Sequence, residues 1–203
     1  MRLLHVIPSL GAGGAETQLF YLSQNLADRG HEVHIACYSH IEQAERIPTG
    51  VIMHHIKGTS NYDLRLLLQM LKITKVIEPQ ILHSWSVAVD ILGGICSKIC
   101  NSRWIIREPS SHKAYEQTNF KFHLREFLAK YADCIVANSA PGRAYWIEKI
   151  PGMNTEVIAN GLPLETCKNT PADRSVLPNS LRLPETPLII YAGRLTNDVS
   201  ARK

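Results

Sequence analysis

The sequence predicts an α/β protein with a Rossmann-like, doubly wound parallel sheet. Three observations carry that expectation. Short apolar runs suited to buried strands alternate with longer segments of helical periodicity up to about residue 160. The first apolar run opens into the glycine-rich turn Gly11-Ala12-Gly13-Gly14, and a helical pattern follows, which is how a βαβ unit begins. A proline-rich stretch then breaks the alternation before one fresh apolar strand.

Residues 3–7 form an apolar run closed by Pro8 and read as the first strand. Over residues 15–29, Leu19, Leu22 and Leu26 recur at helical spacing, and Gly30 suits the position just past the helix end. Residues 32–37 alternate polar and apolar side chains as a second strand, and residues 51–55 make a third. Asn61 or Asp63 can cap a helix over residues 62–77, and Pro79 prevents its continuation. Strands at 81–83, 104–107 and 134–137 alternate with helices at 88–100, 120–131 and 140–150. Pro141 falls in the first turn of its helix, where the missing N–H costs nothing. Residues 155–159 are the seventh strand. The stretch 160–187 holds Pro163, Pro171, Pro178, Pro184 and Pro187 and reads as a linker. Leu188-Ile189-Ile190-Tyr191-Ala192 then starts a new strand, followed by Gly193-Arg194.

The expected domains are therefore a Rossmann-like unit at 1–160, a linker at 161–187, and the first strand of a truncated second domain at 188–203. One strand cannot bury its own backbone and side chains, so that last segment needs neighbours.

At 203 residues, 45% hydrophobic and 20% charged, the chain can bury a core without disulfide or metal staples. A formal net charge of +4 suits phosphates or an anionic surface but is too small for a nucleic-acid footprint, so no nucleic-acid partner is expected. The five cysteines, Cys37, Cys96, Cys100, Cys134 and Cys167, are odd in number. Cys96 and Cys100 are one helical turn apart, but no second Cys/His pair completes a zinc set. Reduced thiols, no metal and no cofactor are expected, in a cytoplasmic protein. The N-terminus is too short for a signal peptide, and no apolar run reaches the ~18 residues of a spanning helix.

In open parallel sheets, ligands gather at the carboxyl ends of the strands near a switch in strand order. Candidate site residues are therefore those that follow each strand. Gly13 and Gly14, then Glu16, follow the first. Glycines allow close backbone approach, and a helix N-terminus favours anions. The spacing misses G-x-G-x-x-G because Glu16 takes the last glycine's place, and no Gly-Lys-Ser/Thr follows, which argues against a dinucleotide or ATP site. His83 ends the fourth strand, where it can act in proton transfer or hydrogen-bond a hydroxyl or phosphate; the plainer alternative is a structural histidine. Arg107 and Glu108 end the fifth strand and could bind phosphate and hydroxyl, or pair with each other at the surface. Asn160-Gly161 ends the seventh strand as a turn. Lys113, Lys121, Arg125 and Lys130 interleave with Tyr115, Phe120, Phe122 and Phe127. This segment reads first as an amphipathic helix with its aromatics in the core, and second as peripheral contact with the anionic inner membrane surface.

Three stretches, in order, resemble a known family. They are His5-Val6-Ile7-Pro8-Ser9-Leu10-Gly11-Ala12-Gly13-Gly14-Ala15-Glu16, continuing through Leu26-Ala27-Asp28-Arg29-Gly30-His31-Glu32-Val33; then Ile135-Val136-Ala137-Asn138-Ser139 with Val157-Ile158-Ala159-Asn160-Gly161; then Tyr191-Ala192-Gly193-Arg194-Leu195. Together they are similar to the family 4-like N-terminal domain of retaining glycosyltransferases of the two-Rossmann GT-B type. The resemblance implies that this domain holds the acceptor and that a second domain holds a nucleotide-diphosphate sugar. It implies that Gly13 and Gly14 lie against the reacting sugar and its diphosphate, that Asn160-Gly161 borders the hinge, and that Arg194 neutralises the leaving diphosphate. Two positions depart from the family: Arg107-Glu108-Pro109 stands where many relatives have a histidine, and Val199 stands where a lysine follows Gly-Arg-Leu.

The function implied is transfer of a hexose-type sugar from a nucleotide-sugar donor to a carbohydrate or lipid-linked acceptor. His83 is the candidate catalytic residue, and Gly13, Gly14, Glu16, Arg107, Glu108, Asn160, Gly161 and Arg194 are the candidate substrate contacts. The chain alone is expected to be inactive, since it supplies one wall of the cleft. A non-catalytic remnant or acceptor-binding interaction module is the alternative.

Overall fold

The computed structural model describes residues 1–11, 13–39, 41–42, 44–56, 63–109 and 120–164. The chain divides into two units, Met1–Gly161 and Leu162–Lys203. All the elements below belong to the first. The expected strand at 188–192 and Arg194 lie outside the described residues, as does Cys167.

The element order is β1 (Arg2–Val6), α1 (Gly14–Asp28), β2 (Glu32–Cys37), a 3-10 turn (Ala44–Arg46), β3 (Val51–His55), α2 (Leu64–Ile77), β4 (Ile81–Ser84), α3 (Val87–Cys100), β5 (Arg103–Glu108), α4 (Phe120–Ala129), β6 (Cys134–Ala137), α5 (Ala140–Lys149) and β7 (Thr155–Val157). Apart from the 3-10 turn, elements fall where the sequence patterns put them, with bounds shifted by up to two residues. Asp63, rather than Asn61, caps α2, accepting a hydrogen bond from the Arg65 backbone N–H at 2.9 Å. Ser139 caps α5, with Pro141 in its first turn.

All seven strands are parallel, in the order β3-β2-β1-β4-β5-β6-β7. The predicted doubly wound α/β sheet is therefore present, and its strand order reverses between β1 and β4. Leu19 and Phe20 of α1 pack with Ile7, Ile35, Cys37 and Trp85 on one face. On the other face, α2, α3, α4 and α5 contribute Met70, Leu92, Ala129 and Trp146 to a core with Leu4, Leu82, Trp104 and Ile135. Gly94 in α3 makes room for Trp104, because a Cβ there would sit 2.6 Å from the indole. A glycine inside a helix costs about 1 kcal/mol, which the burial of a whole indole offsets.

Helix α4 inverts the expected orientation of its aromatics. Phe120 is 75% exposed and Phe127 53%, whereas Arg125 is 1% exposed. The reason lies on neighbouring elements. Asp90 of α3 and Glu108 of β5 are both fully buried, and the Arg125 guanidinium reaches them at 2.6 and 2.9 Å. Two buried carboxylates need a counter-charge far more than two phenyl rings need burial.

Candidate functional site

Pleating and register sort the strand ends into two sets. His5 of β1 and His83 of β4 are directly paired across the switch point, and Val6 pairs with Ser84. His5, His83, Trp85 and Arg107 face the α1 side. Ser84 and Glu108 face the side of α2 to α5.

On that second side, a buried polar chain ties the elements together. The Trp104 indole N–H donates to Ser84 Oγ at 3.0 Å, and Ser84 donates to Asp90 Oδ1 at 2.5 Å. Arg125 bridges Asp90 to Glu108, which also accepts from the Trp146 indole at 3.0 Å. Burial pushes the Asp90 carboxyl up, against the opposing pull of Arg125 and of the Ser84 hydroxyl. Glu108 therefore departs from its expected role. It lies in the interior with Arg125 and Trp146 rather than beside Arg107 at the surface, because adjacent strand residues point to opposite faces.

On the α1 side, the Arg107 guanidinium lies 5.0 Å from the centre of the Trp85 ring. Its Nη2 donates to Asn160 Oδ1 at 2.5 Å. No carboxylate lies within ion-pair distance of it among the described residues. The Trp85 indole N–H donates to His5 Nδ1 at 3.2 Å. The His5 and His83 rings are 5.3 Å apart, and His83 lies 4.7 Å from Trp85. Desolvation lowers the His5 pKa to about 3. His83 is also driven well below 6.5, first by burial and then by His5 and the Arg107 charge. Both imidazoles are neutral near pH 7, suited to hydrogen bonding.

The glycine loop brings the N-terminus of α1 to the same edge. Gly13 is the N-cap, with extended backbone. The Glu16 carboxylate folds back over it, so close that a Cβ on Gly13 would lie 2.2 Å from Glu16 Oε2. An acidic group is thus already at the positive end of the helix. A Cβ on Gly14 would meet nothing within 4 Å, and its backbone φ is not positive. Among the described residues, neither packing nor conformation requires glycine there.

Asn160-Gly161 closes the arrangement. The Gly161 N–H donates to Gln18 Oε1 at 2.7 Å, and Gln18 Nε2 donates to the Gly161 carbonyl at 2.8 Å. Asn160 holds Arg107. The fold thus gathers Gly13, Gly14, Glu16, Arg107, His83, Asn160 and Gly161 at the carboxyl edge of the sheet. Sequence reasoning missed three residues there: His5, Trp85 and Gln18. The first two carried a signal, since His5 breaks an apolar strand at its carboxyl end and Trp85 immediately follows one. Nothing in the sequence marks Gln18.

Elsewhere, His34 bonds His54 at 2.8 Å and Glu32 at 2.9 Å. Cys37, Cys96, Cys100 and Cys134 are free thiols. Among the described residues, no three His, Cys, Asp or Glu side chains are grouped to hold a metal, and no helix is long and apolar enough to cross a membrane.

No curated protein matches the chain. Solved structures do. HepE from Anabaena, in complex with UDP-glucose, matches with a TM-score of 0.65 at 20% identity, over 81% of this chain and 45% of that one. The lipopolysaccharide outer core galactosyltransferase WaaB matches with 0.60 at 14% identity, over 80% and 46%. The UDP-GlcNAc 2-epimerase of Methanocaldococcus jannaschii matches with 0.60 at 11% identity, over 79% and 46%. These likenesses show the same Rossmann-like α/β fold in one part of each of those proteins, and the chain spans about half the length of each. The sequence profile of Glycosyltransferase Family 4 covers residues 12–166, most of the described domain. The chain belongs to Glycosyltransferase Family 4.

Proposed function

We propose that this domain is the acceptor-holding half of a glycosyltransferase that moves a hexose-type sugar from a nucleotide-diphosphate sugar to a carbohydrate or lipid-linked acceptor. The observation that carries the reading is the convergence of Gly14, Arg107, His83 and Asn160-Gly161 on one sheet edge at the strand-order switch. HepE, with UDP-glucose bound, supports a nucleotide-sugar donor.

In this reading Gly13 and Gly14 approach the donor's sugar and diphosphate, and Glu16 swings aside as they bind. His83 hydrogen-bonds an acceptor hydroxyl. Asn160-Gly161 borders the hinge. Arg194 would neutralise the leaving diphosphate. A donor-binding domain is needed for turnover, because transfer requires donor and acceptor oriented together away from water. The epimerase likeness supplies a rival reaction on the same fold, and product analysis distinguishes the two.

A second reading concerns location. Phe120 and Phe127 of α4, Ile99 of the neighbouring α3, and Tyr131 just after α4 are all more than half exposed. Lys130 lies 5.8 Å from the Phe127 ring centre and Lys98 5.4 Å from that of Tyr131. Exposed aromatics beside lysines suit peripheral contact with an anionic membrane surface.

The test is transfer of radiolabelled sugar from UDP-glucose and related donors to an acceptor panel, by this chain alone and by a protein carrying a complete donor domain. His83→Ala in the longer protein is expected to lower kcat/KM by ~10²-fold. Transfer by the chain alone at ~1 s⁻¹ would show that no donor domain is needed.

A further inference from the structure

Three buried nitrogen atoms around Trp85 have no hydrogen-bond partner among the described residues: His5 Nε2, His83 Nε2 and Arg107 Nε. Their residues are 1%, 7% and 7% exposed. The state of two of them can be derived. An indole N–H only donates, so His5 Nδ1, which receives it, is an acceptor. A neutral imidazole carries one proton, so that of His5 is on Nε2, which is a donor without an acceptor. Arg107 Nε–H is a donor in every ionisation state that matters.

The charge is equally unbalanced. On the far side of the sheet, Arg125 has two carboxylates at 2.6 and 2.9 Å. Among the described residues, Arg107 has one neutral amide and the face of an indole. A buried guanidinium without an anion is costly, and an isolated fold gains nothing by keeping one. Its place at the carboxyl end of β5, at the switch-point edge, is where a ligand enters.

We propose that Arg107, with the imidazoles of His5 and His83 and the Trp85 ring, forms a receptor for one oxyanion, a carboxylate or phosphate, carried by the acceptor. The inference rests on the acceptor-side reading above. It adds that the acceptor is anionic: a sugar acid or a sugar linked to phosphate. Arg107 supplies charge and a fixed donor, and His5 adds a second donor from an adjacent strand. A neutral hydroxyl would satisfy the donors but leave the charge unbalanced.

The test uses the 203-residue chain with four probes: glucuronate, methyl phosphate, methyl glucoside and UDP. Binding is followed by the Trp85 indole and histidine ring ¹⁵N resonances. Glucuronate or methyl phosphate is expected to shift those signals, and their relative affinity identifies which anion the site takes. Arg107→Gln, which can still bond Asn160, is expected to weaken that binding by ~10-fold or more, as for loss of a charge-assisted hydrogen bond. Arg107→Lys keeps the charge but not the rigid fork, and should fall between the two. Thermal unfolding establishes that both variants fold. Shifts as large with methyl glucoside, insensitive to Arg107→Gln, would overturn the oxyanion reading and leave the acceptor-side reading standing. Response to UDP alone would assign the cluster to the donor diphosphate and overturn the proposal. Silence toward all four probes to ~10 mM, weaker than any useful subsite, would overturn both readings.

Discussion

Gln18 and Gly161 hold each other by two hydrogen bonds, at 2.7 and 2.8 Å, across 143 positions of sequence. One side chain amide thereby pairs with both backbone groups of the last residue of the domain. The start of α1 and the segment after β7 become a single surface, and Arg107 is fixed to that surface through Asn160.

Gln18→Ala should free that segment. The Gly161 amide loses its acceptor, so its hydrogen exchange should accelerate while amides within β6 stay protected. The stability cost should be ~1 kcal/mol, since the bonds are solvent-accessible. An unchanged Gly161 exchange rate would show that the backbone holds its position without Gln18.

Gly14→Val tests the glycine loop. Space around the added side chain is open in the unliganded domain, so the melting temperature should stay within the usual range of a surface change, about ±0.5 kcal/mol. Donor or acceptor binding should be lost, because the side chain would occupy the approach path. Binding equal to the parent protein's would reduce the loop to a strand-to-helix turn.

Glu16→Gln addresses the same loop from the other direction. Removing the carboxylate that lies over Gly13 takes a competing anion from the helix N-terminus. Affinity for UDP should rise roughly 2- to 5-fold, the scale of a helix-dipole interaction of 0.3–1 kcal/mol. A weaker affinity would instead mean that Glu16 contacts the ligand directly.

Arg125→Met separates the two views of α4. Asp90 and Glu108 would remain buried without their shared counter-charge, and urea denaturation should report a loss of ~3–5 kcal/mol. Phe127→Ser, on the exposed side, should cost less than ~0.5 kcal/mol. The reverse ranking would place the aromatics in the core after all.

Stability should fall with acid through His5. Its folded pKa is about 3 against 6.5 for a free imidazole side chain, so below pH 6.5 the unfolded chain binds a proton that the folded chain refuses. The contribution is fully present above pH 6.5 and is lost as pH falls toward 3, by ~2 kcal/mol between 6.5 and 5. His83, lowered in the same direction, adds to the slope. His5→Gln should flatten the pH dependence measured by denaturant titration; an unaltered slope would mean that the ring is solvated.

Local pattern settled a great deal of this protein. Period-two and period-3.6 spacing, with Asp63, Ser139 and Pro141 as punctuation, located every strand and helix of the described domain. Those signals are short-range, carried by residues within one turn or one strand of each other, so a single sequence displays them. Strand–helix alternation then leaves few ways to wind the sheet, because crossovers are right-handed. That Gly13, Gly14, His83, Arg107 and Asn160-Gly161 share one edge of the sheet was legible because each follows, or ends, a parallel strand at its carboxyl end.

Tertiary structure alone decided which neighbour each side chain meets. Arg107 and Glu108 are adjacent in sequence and separate onto opposite faces, one against Trp85 and Asn160 and one into an ion network. Arg125 sits in a helix whose composition reads as aromatic core, yet it turns inward, because Asp90 lies 35 positions away and Glu108 lies 17. His5 carries its proton on Nε2 rather than Nδ1 because the Trp85 indole, 80 residues along the chain, donates to Nδ1. Burial and charge depend on partners brought together by the sheet, and that information is spread over strands whose order no local pattern records.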